Sequence, residues 1–281
     1  MRVLVTGAAG QLGFDVTECL RRRGSECFGT GSAELDITDG ETVRRIVADY
    51  RPDVVINCAA YTNVDGAEKD EPRCRAVNAE GAANVAAACA RSGCRLIHIS
   101  TDYVFPGGGE QYYETDDPAG AVCVYGRTKY EGELAVRAAM SRYFIVRVSW
   151  TYGRVGKNFV KTMLRLGAER EEVRVVCDQV GSPTYTKDLA PLLADMAATE
   201  KFGVYHATNE GVCSWAEFAG EIFRQAGLTA RVVPIPSSEY PCAAQRPLNS
   251  RLSKSCLDRA GFSRLPDWKD ALSRYLSELK G

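Results

Sequence analysis

A tyrosine and a lysine, spaced to share one face of a helix, are the residues of this sequence best suited to acid–base chemistry. They enclose the stretch Tyr125-Gly126-Arg127-Thr128-Lys129, and positions i and i+4 of a helix are neighbours. An ammonium beside a phenol stabilises the phenolate, so we expect Lys129 to move the pKa of Tyr125 from about 10 towards neutral pH. Tyr125 would then serve as a general acid towards a substrate oxygen.

A hydroxyl residue, Thr101, follows the apolar run Arg95–Ser100, which is typical of a buried strand. Ligands of doubly wound sheets bind at the carboxyl ends of the strands. We therefore predict that Thr101 hydrogen-bonds the carbonyl oxygen that Tyr125 protonates. His98 lies within the same strand, and we interpret it as a structural residue.

Three glycines separate the first apolar run from the first helical pattern, in Thr6-Gly7-Ala8-Ala9-Gly10-Gln11-Leu12-Gly13. In such a turn, Gly7 permits the tight bend, Gly10 lets the backbone approach a pyrophosphate, and Gly13 allows close packing of helix and sheet. The phosphates then meet free N–H groups at the positive end of the helix dipole. The turn predicts a dinucleotide cofactor.

The second strand, around Glu26–Gly29, ends without the acidic residue that usually binds the ribose of NAD. Thr30-Gly31-Ser32 follows instead, and Asp36 comes later. Small hydroxyl residues leave room for a 2′-phosphate, so we expect NADPH, with NADH as the alternative. No arginine that would clamp the phosphate is evident from the sequence.

These residues need a scaffold, and the first half of the chain alternates apolar strand-like runs with helical patterns. Such alternation predicts an α/β fold, a doubly wound parallel sheet of the Rossmann type, with a smaller C-terminal substrate-binding lobe. Beyond Trp150 the pattern is mixed and punctuated by prolines. We predict a dinucleotide-binding domain over 1–150, to which the chain returns around 173–198, and a substrate lobe over 151–281; one large domain is the alternative.

Composition excludes several classes of protein. The 281 residues carry 35 Lys and Arg against 36 Asp and Glu, so neither nucleic acid nor a membrane surface is an expected partner. No apolar run approaches the roughly 18 residues of a membrane span, and the start of the chain predicts no signal peptide. Eleven cysteines without a C-x-x-C pair and only two histidines indicate reduced thiols, a cytoplasmic protein and no metal site.

Four further stretches of the sequence resemble those of a known protein family: Ser100–Phe105, Arg147–Gly153, Asp178–Thr184 and Arg246–Leu252. With the glycine turn and Tyr-x-x-x-Lys, the sequence resembles the extended short-chain dehydrogenase/reductase family over nearly the whole chain. Within that family it is similar to the reductases of dTDP-linked 4-keto sugars. The resemblance implies that NADPH delivers a hydride to the C4 ketone of dTDP-4-dehydro-L-rhamnose, with Thr101, Tyr125 and Lys129 as the catalytic residues.

The same resemblance implies the binding residues. The cofactor would contact Gly7, Gly10, Gln11, Leu12, Gly13, Asp36, Ile37, Ala59, Ala60, Thr62, Tyr125 and Lys129. The substrate would contact Thr101, Asp102, Tyr103, Trp150 and Arg246. Arg246 is also suited by its chemistry, because a guanidinium can clamp a diphosphate with two hydrogen bonds; its alternative role is a solvated surface residue. Asn78 is interpreted as chiefly structural.

Two departures from the family pattern, Ala121 and Cys123, lie just before Tyr125 and bear on the shape of the pocket. Some relatives form a magnesium-bridged dimer through acidic residues that Asp15 does not clearly reproduce, so we expect no metal and a monomer or weak homodimer. Two other functions stay open. One is a non-catalytic regulatory subunit like that of methionine adenosyltransferase. The other is a sugar-nucleotide epimerase or dehydratase with retained NAD, although Tyr103 stands where a dehydratase needs a glutamate.

Overall fold

The computed structural model describes residues 1–280. Its strands are β1 (Arg2–Thr6), β2 (Glu26–Thr30), β3 (Val54–Asn57), β4 (Arg95–Thr101), β5 (Tyr143–Val148), β6 (Thr151–Tyr152), β7 (Glu172–Val176), β8 (Val180–Gly181), β9 (Thr184–Tyr185), β10 (Gly203–His206), β11 (Cys213–Ser214) and β12 (Arg231–Ile235).

Its helices are α1 (Gln11–Arg22), α2 (Gly40–Tyr50), α3 (Val64–Lys69), α4 (Glu71–Arg75), α5 (Gly81–Ser92), α6 (Val124–Ala139), α7 (Phe159–Glu169), α8 (Thr186–Ala197), α9 (Trp215–Ala226), α10 (Ser255–Ala260) and α11 (Trp268–Lys280). A π-helical segment, Ala76–Glu80, joins α4 to α5. Within residues 1–280, no helix combines the length and apolar character needed to cross a membrane.

Six strands form one sheet in the order β10-β5-β4-β3-β1-β2, and each neighbouring pair is parallel. The central strands are rich in Val, Leu and Ile because helices cover both of their faces; Val3, Leu4 and Val5 of β1 are fully buried. This is the doubly wound parallel sheet that the sequence predicts, and the prediction is confirmed.

The two faces of the sheet bury different helices. On one face, α1 and α8 pack together through residues such as Val16 and Leu193. On the other face, α2 and α5 pack through Val47 and Val85, beside α6. Apolar residues recur along each helix at the spacing that presents one buried stripe to the sheet.

A second apolar core lies among α7, α9 and α11 and the parallel pair β7–β12, with Phe218 and Leu272 fully buried in it. In the same stretch of chain, however, α8 packs on α1, and β10 forms an edge strand of the large sheet. The division into domains 1–150 and 151–281 stays a prediction, and its last residue, 281, lies outside the described residues.

Candidate active site

A cleft of about 580 Å³ opens where β1, β3, β4 and β5 end. Its walls include every residue that was predicted to contact the cofactor, namely Gly7, Gly10, Gln11, Leu12, Gly13, Asp36, Ile37, Ala59, Ala60, Thr62, Tyr125 and Lys129. The structure therefore brings the glycine turn and the Tyr/Lys pair, which are more than a hundred residues apart, to one cavity. Their roles in binding and catalysis remain predictions.

The glycine turn is shaped by close backbone contacts. Gly7 has a φ of +66°, and a Cβ there would lie 2.7 Å from the backbone nitrogen of Ala59. A Cβ on Gly13 would lie 2.2 Å from the Gly7 carbonyl oxygen, so both positions require glycine. Gly10 caps α1 without any side-chain hydrogen bond to the first turn. The N–H groups at the start of α1 are thus left available for an anion.

Gln11 contributes to the turn in a way that the sequence did not indicate. Its Oε1 accepts hydrogen bonds from the Gly153 backbone N–H at 2.9 Å and from Asn158 Nδ2 at 3.0 Å. Asn158 also caps α7 by accepting from the N–H of Lys161. The first residue of α1 is therefore joined directly to the segment that leads into α7.

The far end of the cleft is lined by Ser32, Asp36 and an arginine, Arg73, that sequence reasoning missed. The Asp36 carboxylate accepts from the backbone N–H and the hydroxyl of Thr38, and these bonds lower its pKa. The positive charge of Arg73 adds to the lowering. An exposed arginine at this edge is available to a phosphate. The only feature of the sequence that could have indicated Arg73 is its position near the start of the helical region after the third strand.

Lys129 lies on the inner side of α6 with 2% of its surface exposed. Its Nζ donates a hydrogen bond of 2.6 Å to the carbonyl oxygen of Ile99. Burial lowers the pKa of Lys129 to about 8, and the negative charge of Glu133 opposes that lowering. Lys129 therefore remains mostly protonated at neutral pH.

Tyr125 stands one turn before Lys129, against the wall of the cleft. Burial raises the pKa of Tyr125, and the nearby Thr101 hydroxyl lowers it only in part. This direction is opposite to the one expected from the Tyr/Lys spacing, because the burial of the phenol is the dominant effect. The phenol is accordingly neutral at physiological pH, which is the form that can donate a proton.

Thr101 ends β4, and its hydroxyl donates to Asp102 Oδ1 at 2.9 Å. Burial raises the pKa of the Asp102 carboxyl to about 6, and its other oxygen, Oδ2, is buried without a hydrogen-bond partner in the described structure. The ring of Tyr103 packs edge-on against that of Tyr125, with centroids 5.4 Å apart. Thr101, Asp102 and Tyr103 thus gather around the phenol of Tyr125.

Trp150 occupies a strained position, with a φ of +48° that non-glycine residues seldom adopt. The Trp150 ring stacks on that of Trp215 at a centroid distance of 3.7 Å. The indole also lies close to Gly181, where a Cβ atom would be 3.0 Å from it. Thr151, the next residue, lines the cleft. Val180, which precedes Gly181, lines a second cavity of about 610 Å³, whose walls also include Cys177, Cys213, Glu217 and Arg251. Trp150 itself lines neither cavity, but its neighbour Thr151 lines the cleft and Val180, next to the Gly181 that it contacts, lines the second cavity.

Arg246 is paired within the protein. Its guanidinium donates to both carboxylate oxygens of Asp65 on α3, at 3.2 and 2.7 Å, and the Ala244 N–H donates to the same carboxylate. These hydrogen bonds, with Arg246 first among them, lower the pKa of Asp65. The arginine predicted to clamp a diphosphate is held at α3 by this ion pair.

Several residues support the cleft without having been predicted to do so. Tyr61, Val77, Ser100, Val148 and Thr151 line it. Asn78 lies in the π-helical segment, and its side chain accepts from the Tyr61 N–H at 2.8 Å and donates to the Tyr61 carbonyl oxygen at 3.1 Å. Asn78 thus holds one wall of the cleft in place. His98 is buried in β4, and its Nδ1 lies 3.2 Å from Nδ2 of Asn57.

Asp15, which was considered for a metal-bridged dimer, has a hydrogen-bond partner within the chain. Asp15 is buried and accepts a hydrogen bond of 2.5 Å from the Thr186 hydroxyl. Among residues 1–280, no group of three or more His, Cys, Asp or Glu side chains is arranged to hold a metal ion. The eleven cysteines, all of them described, are free thiols.

Comparison with known proteins places the whole chain in one family. The family described as "RmlD substrate binding domain" matches residues 1–280. The dTDP-4-dehydrorhamnose reductase of Streptomyces griseus is 46% identical over 287 residues, which cover 100% of this chain and 94% of that protein.

Two solved structures share the fold from end to end. A dTDP-4-dehydrorhamnose reductase from Clostridium acetobutylicum is 40% identical with a TM-score of 0.98, covering 100% of both chains. The dTDP-4-dehydrorhamnose reductase of Bacillus anthracis in complex with NADP is 44% identical with a TM-score of 0.96, covering 99% of each chain. The chain therefore belongs to the dTDP-4-dehydrorhamnose reductase family of oxidoreductases.

Proposed function

We propose that this protein reduces the C4 ketone of dTDP-4-dehydro-L-rhamnose with NADPH and forms dTDP-L-rhamnose, with Thr101, Tyr125 and Lys129 as its catalytic residues. The observation that carries the proposal is that Tyr125 and Lys129 line the same cleft as the glycine turn. A proton donor and a dinucleotide turn in one cavity are what a ketone reductase needs. The chain's membership of the family supports the same reaction.

The cleft fits a dinucleotide. The open N–H groups after Gly10 suit the pyrophosphate, and Asp36 and Ile37 suit the adenosine. Ser32 leaves space beside the ribose and Arg73 supplies a positive charge there, which supports NADPH over NADH. The relative from Bacillus anthracis was solved with NADP. When bound, NADPH supplies the hydride that adds to C4.

The protein's own residues supply the proton. The neutral phenol of Tyr125 donates its proton to the C4 oxygen, so that hydride and proton together convert the ketone into a secondary alcohol. The Thr101 hydroxyl turns its proton from Asp102 Oδ1 to that oxygen and so holds it next to the phenol. The nearby ammonium of Lys129 stabilises the phenolate left behind, because an adjacent positive charge favours the ionised form. Proton exchange with solvent then restores the phenol.

The substrate is held by residues from both sides of the cleft. Asp102, Tyr103 and Trp150 shape the sugar pocket, and the nucleotide extends past Trp150 towards the second cavity, where Arg251 lies. Arg246 joins the diphosphate by exchanging its contact with Asp65 for the substrate's oxygens. The free energy of the new contact must exceed that of an ion pair that is only partly buried.

The organisation of the chain is part of the proposal. The sugar nucleotide binds mainly to the lobe formed by 151–281, and the cofactor binds to the lobe formed by 1–150. The protein acts in the cytoplasm as a monomer or weak homodimer; the eleven free thiols support a reducing compartment. Light scattering at several protein concentrations tests the oligomeric state.

A substrate panel tests the function. Purified protein is assayed with several 4-keto sugar nucleotides and with NADPH or NADH, and the product is identified by mass spectrometry and NMR. We expect the highest kcat/KM with dTDP-4-dehydro-L-rhamnose and NADPH. An isolated protein with tightly bound NAD and no net cofactor oxidation would indicate the epimerase or dehydratase instead. Absence of turnover together with co-purification of a synthetase would indicate the regulatory subunit.

A further inference from the structure

We propose that Glu133 is a positioning residue, held by Arg147 and Ser100, that fixes the place and the charge of Lys129 in the active site. The inference deepens the proposed function and rests on it, because it concerns the lysine that acts with Tyr125. Glu133 lies one helical turn after Lys129 on α6, away from the cleft itself.

The Glu133 carboxylate is completely buried and fully bonded. Arg147 of β5 donates to both of its oxygens, from Nε and from Nη2, each at 2.8 Å. The Ser100 hydroxyl donates to Oε1 at 2.6 Å, and Arg137 donates to Oε2 at 3.2 Å. These donors, two of them guanidinium groups, hold the carboxylate in one orientation.

Arg147 is also buried, and it makes further contacts besides those with Glu133. It is 2% exposed, its Nη1 donates to the Thr115 carbonyl oxygen at 3.1 Å, and its guanidinium lies 4.9 Å from the ring centroid of Phe105. His206 lies 3.4 Å from Nη1, and burial together with the charge of Arg147 lowers the pKa of His206 to about 3. His206 therefore stays neutral, and Glu133 is the one carboxylate that pairs with Arg147 within the described residues.

The hydrogen-bond network of Glu133, Arg147 and Ser100 connects to the active site through three consecutive residues of β4. The carbonyl of Ile99 accepts from Lys129, the side chain of Ser100 donates to Glu133, and Thr101 follows beside Tyr125. Two contacts, one helical turn apart, thus tie α6 to the end of β4. This double attachment sets the position of the Tyr125 and Lys129 side chains relative to the Thr101 hydroxyl.

The network also sets the charge of Lys129. The titratable groups that face its ammonium are Glu133 on its own helix, Cys58 after β3, Cys74 on α4 and His98 on β4. Of these, Glu133 opposes the effect of burial most strongly. The buried thiols and His98 are neutral near pH 7, since burial raises the pKa of both thiols and lowers that of His98. Glu133 is consequently the main group that keeps Lys129 protonated.

A purely structural pair is the competing explanation. Apolar residues of the same volume often stabilise a protein as well as a buried ion pair does, so stability alone does not account for this one. The two explanations differ in what they predict for the pH dependence of the reaction. A structural role changes folding stability, whereas a positioning role also moves the titration of Lys129.

The test compares the pH profiles of kcat in the wild-type protein and in Glu133→Gln, with the keto sugar nucleotide and NADPH. We expect the alkaline limb to move down by about one pH unit and kcat at pH 8 to fall about fivefold, because the amide no longer supports the charge of Lys129. KM for the substrate should change less than about twofold, and Glu133→Asp should partly restore the limb.

The matched control is Glu131→Gln, on the same helix, which removes a carboxylate that pairs with Arg75 instead. Its alkaline limb should coincide with that of the wild type. If Glu133→Gln does not fold, Glu133→Gln combined with Arg147→Met removes both buried charges and should move the limb in the same direction. A folded variant with lower kcat but an unmoved limb overturns the proposal.

Failure of the proposed function is a separate result. If the wild-type protein reduces no 4-keto sugar nucleotide, the proposed function fails. The titration of Lys129 is then followed directly by NMR of carbon-13-labelled lysine, with Lys129→Met to assign the signal. A lower pKa of Lys129 in Glu133→Gln still supports the inference, and an unchanged pKa overturns it.

Discussion

Asp65 of α3 accepts two hydrogen bonds from the guanidinium of Arg246, a residue 181 positions further along the chain. The pair joins the first half of the chain to the loop that follows β12, and its arginine side chain is only 21% exposed. Burial raises the pKa of the nearby Tyr103, and the positive charge of Arg246 partly opposes that effect. The ion pair keeps the guanidinium of Arg246 beside α3.

Arg246→Ala should raise the KM for the sugar nucleotide about tenfold with little change in kcat, because a charge-assisted bond to the diphosphate is lost. Steady-state kinetics at saturating NADPH measures both constants. Asp65→Asn is the matched control, since it weakens the same pair but keeps the cation; because Arg246 leaves Asp65 to bind the diphosphate, KM in this variant should equal or fall below the wild-type value. Equal increases in the two variants would show that the pair only holds the loop.

Tyr125→Phe should lower kcat by a factor of about 10²–10⁴, the usual contribution of a general acid. The variant lacks only the phenolic proton donor, so the Kd for NADPH, measured by fluorescence, should change less than about threefold. Tyr130→Phe, on the same helix, serves as the control and should keep its activity. Turnover by Tyr125→Phe at the wild-type rate would exclude the proposed acid.

Arg73→Ala should reduce kcat/KM for NADPH about tenfold and leave kcat/KM for NADH nearly unchanged, because only NADPH carries the 2′-phosphate. The ratio of the two specificity constants is the measurement. Arg75→Ala is the control from the same helix; Arg75 pairs with Glu71 and Glu131 and does not line the cleft. A parallel loss with both cofactors would refute a role for Arg73 in binding the phosphate.

Gln11→Ala should lower the free energy of unfolding by roughly 1–2 kcal/mol, because Gly153 N–H and Asn158 Nδ2 lose their acceptor. Gln11→Glu keeps an acceptor but places a negative charge at the glycine turn. That variant should retain most of the stability and bind NADPH more weakly through repulsion of the pyrophosphate. Urea unfolding and NADPH titration separate the two effects, and equal NADPH affinity in wild type and Gln11→Glu would contradict the placement of the pyrophosphate.

Asp102→Asn should stabilise the fold at pH 7.5 by roughly 1–3 kcal/mol and much less at pH 4. Burial raises the pKa of the folded-state carboxyl from 3.8 to about 6, so the folded state binds more protons than the unfolded state between those values. Stability of the wild type therefore falls as pH rises through that window, and an amide removes the dependence. Urea unfolding at both pH values is the measurement. A stability difference between variant and wild type that is the same at both pH values would contradict the raised pKa.

Local patterns in the sequence predict much of this protein's fold and of its candidate active site. The glycine turn, the alternation of apolar strands with helices and the spacing from Tyr125 to Lys129 depend on neighbours within a few residues. Such features follow from backbone sterics and helical periodicity. From them the parallel sheet is predicted correctly, and the residues predicted to contact the cofactor do line one cleft.

The tertiary structure alone decided which distant side chains meet. It paired Arg246 with Asp65, joined Gln11 to Asn158 and placed Arg73 at the edge of the cleft. It also reversed the expected pKa shift of Tyr125, because burial of the phenol raises its pKa. Burial and long-range contacts depend on how all the elements pack together, and a spacing pattern within one helix does not contain that information.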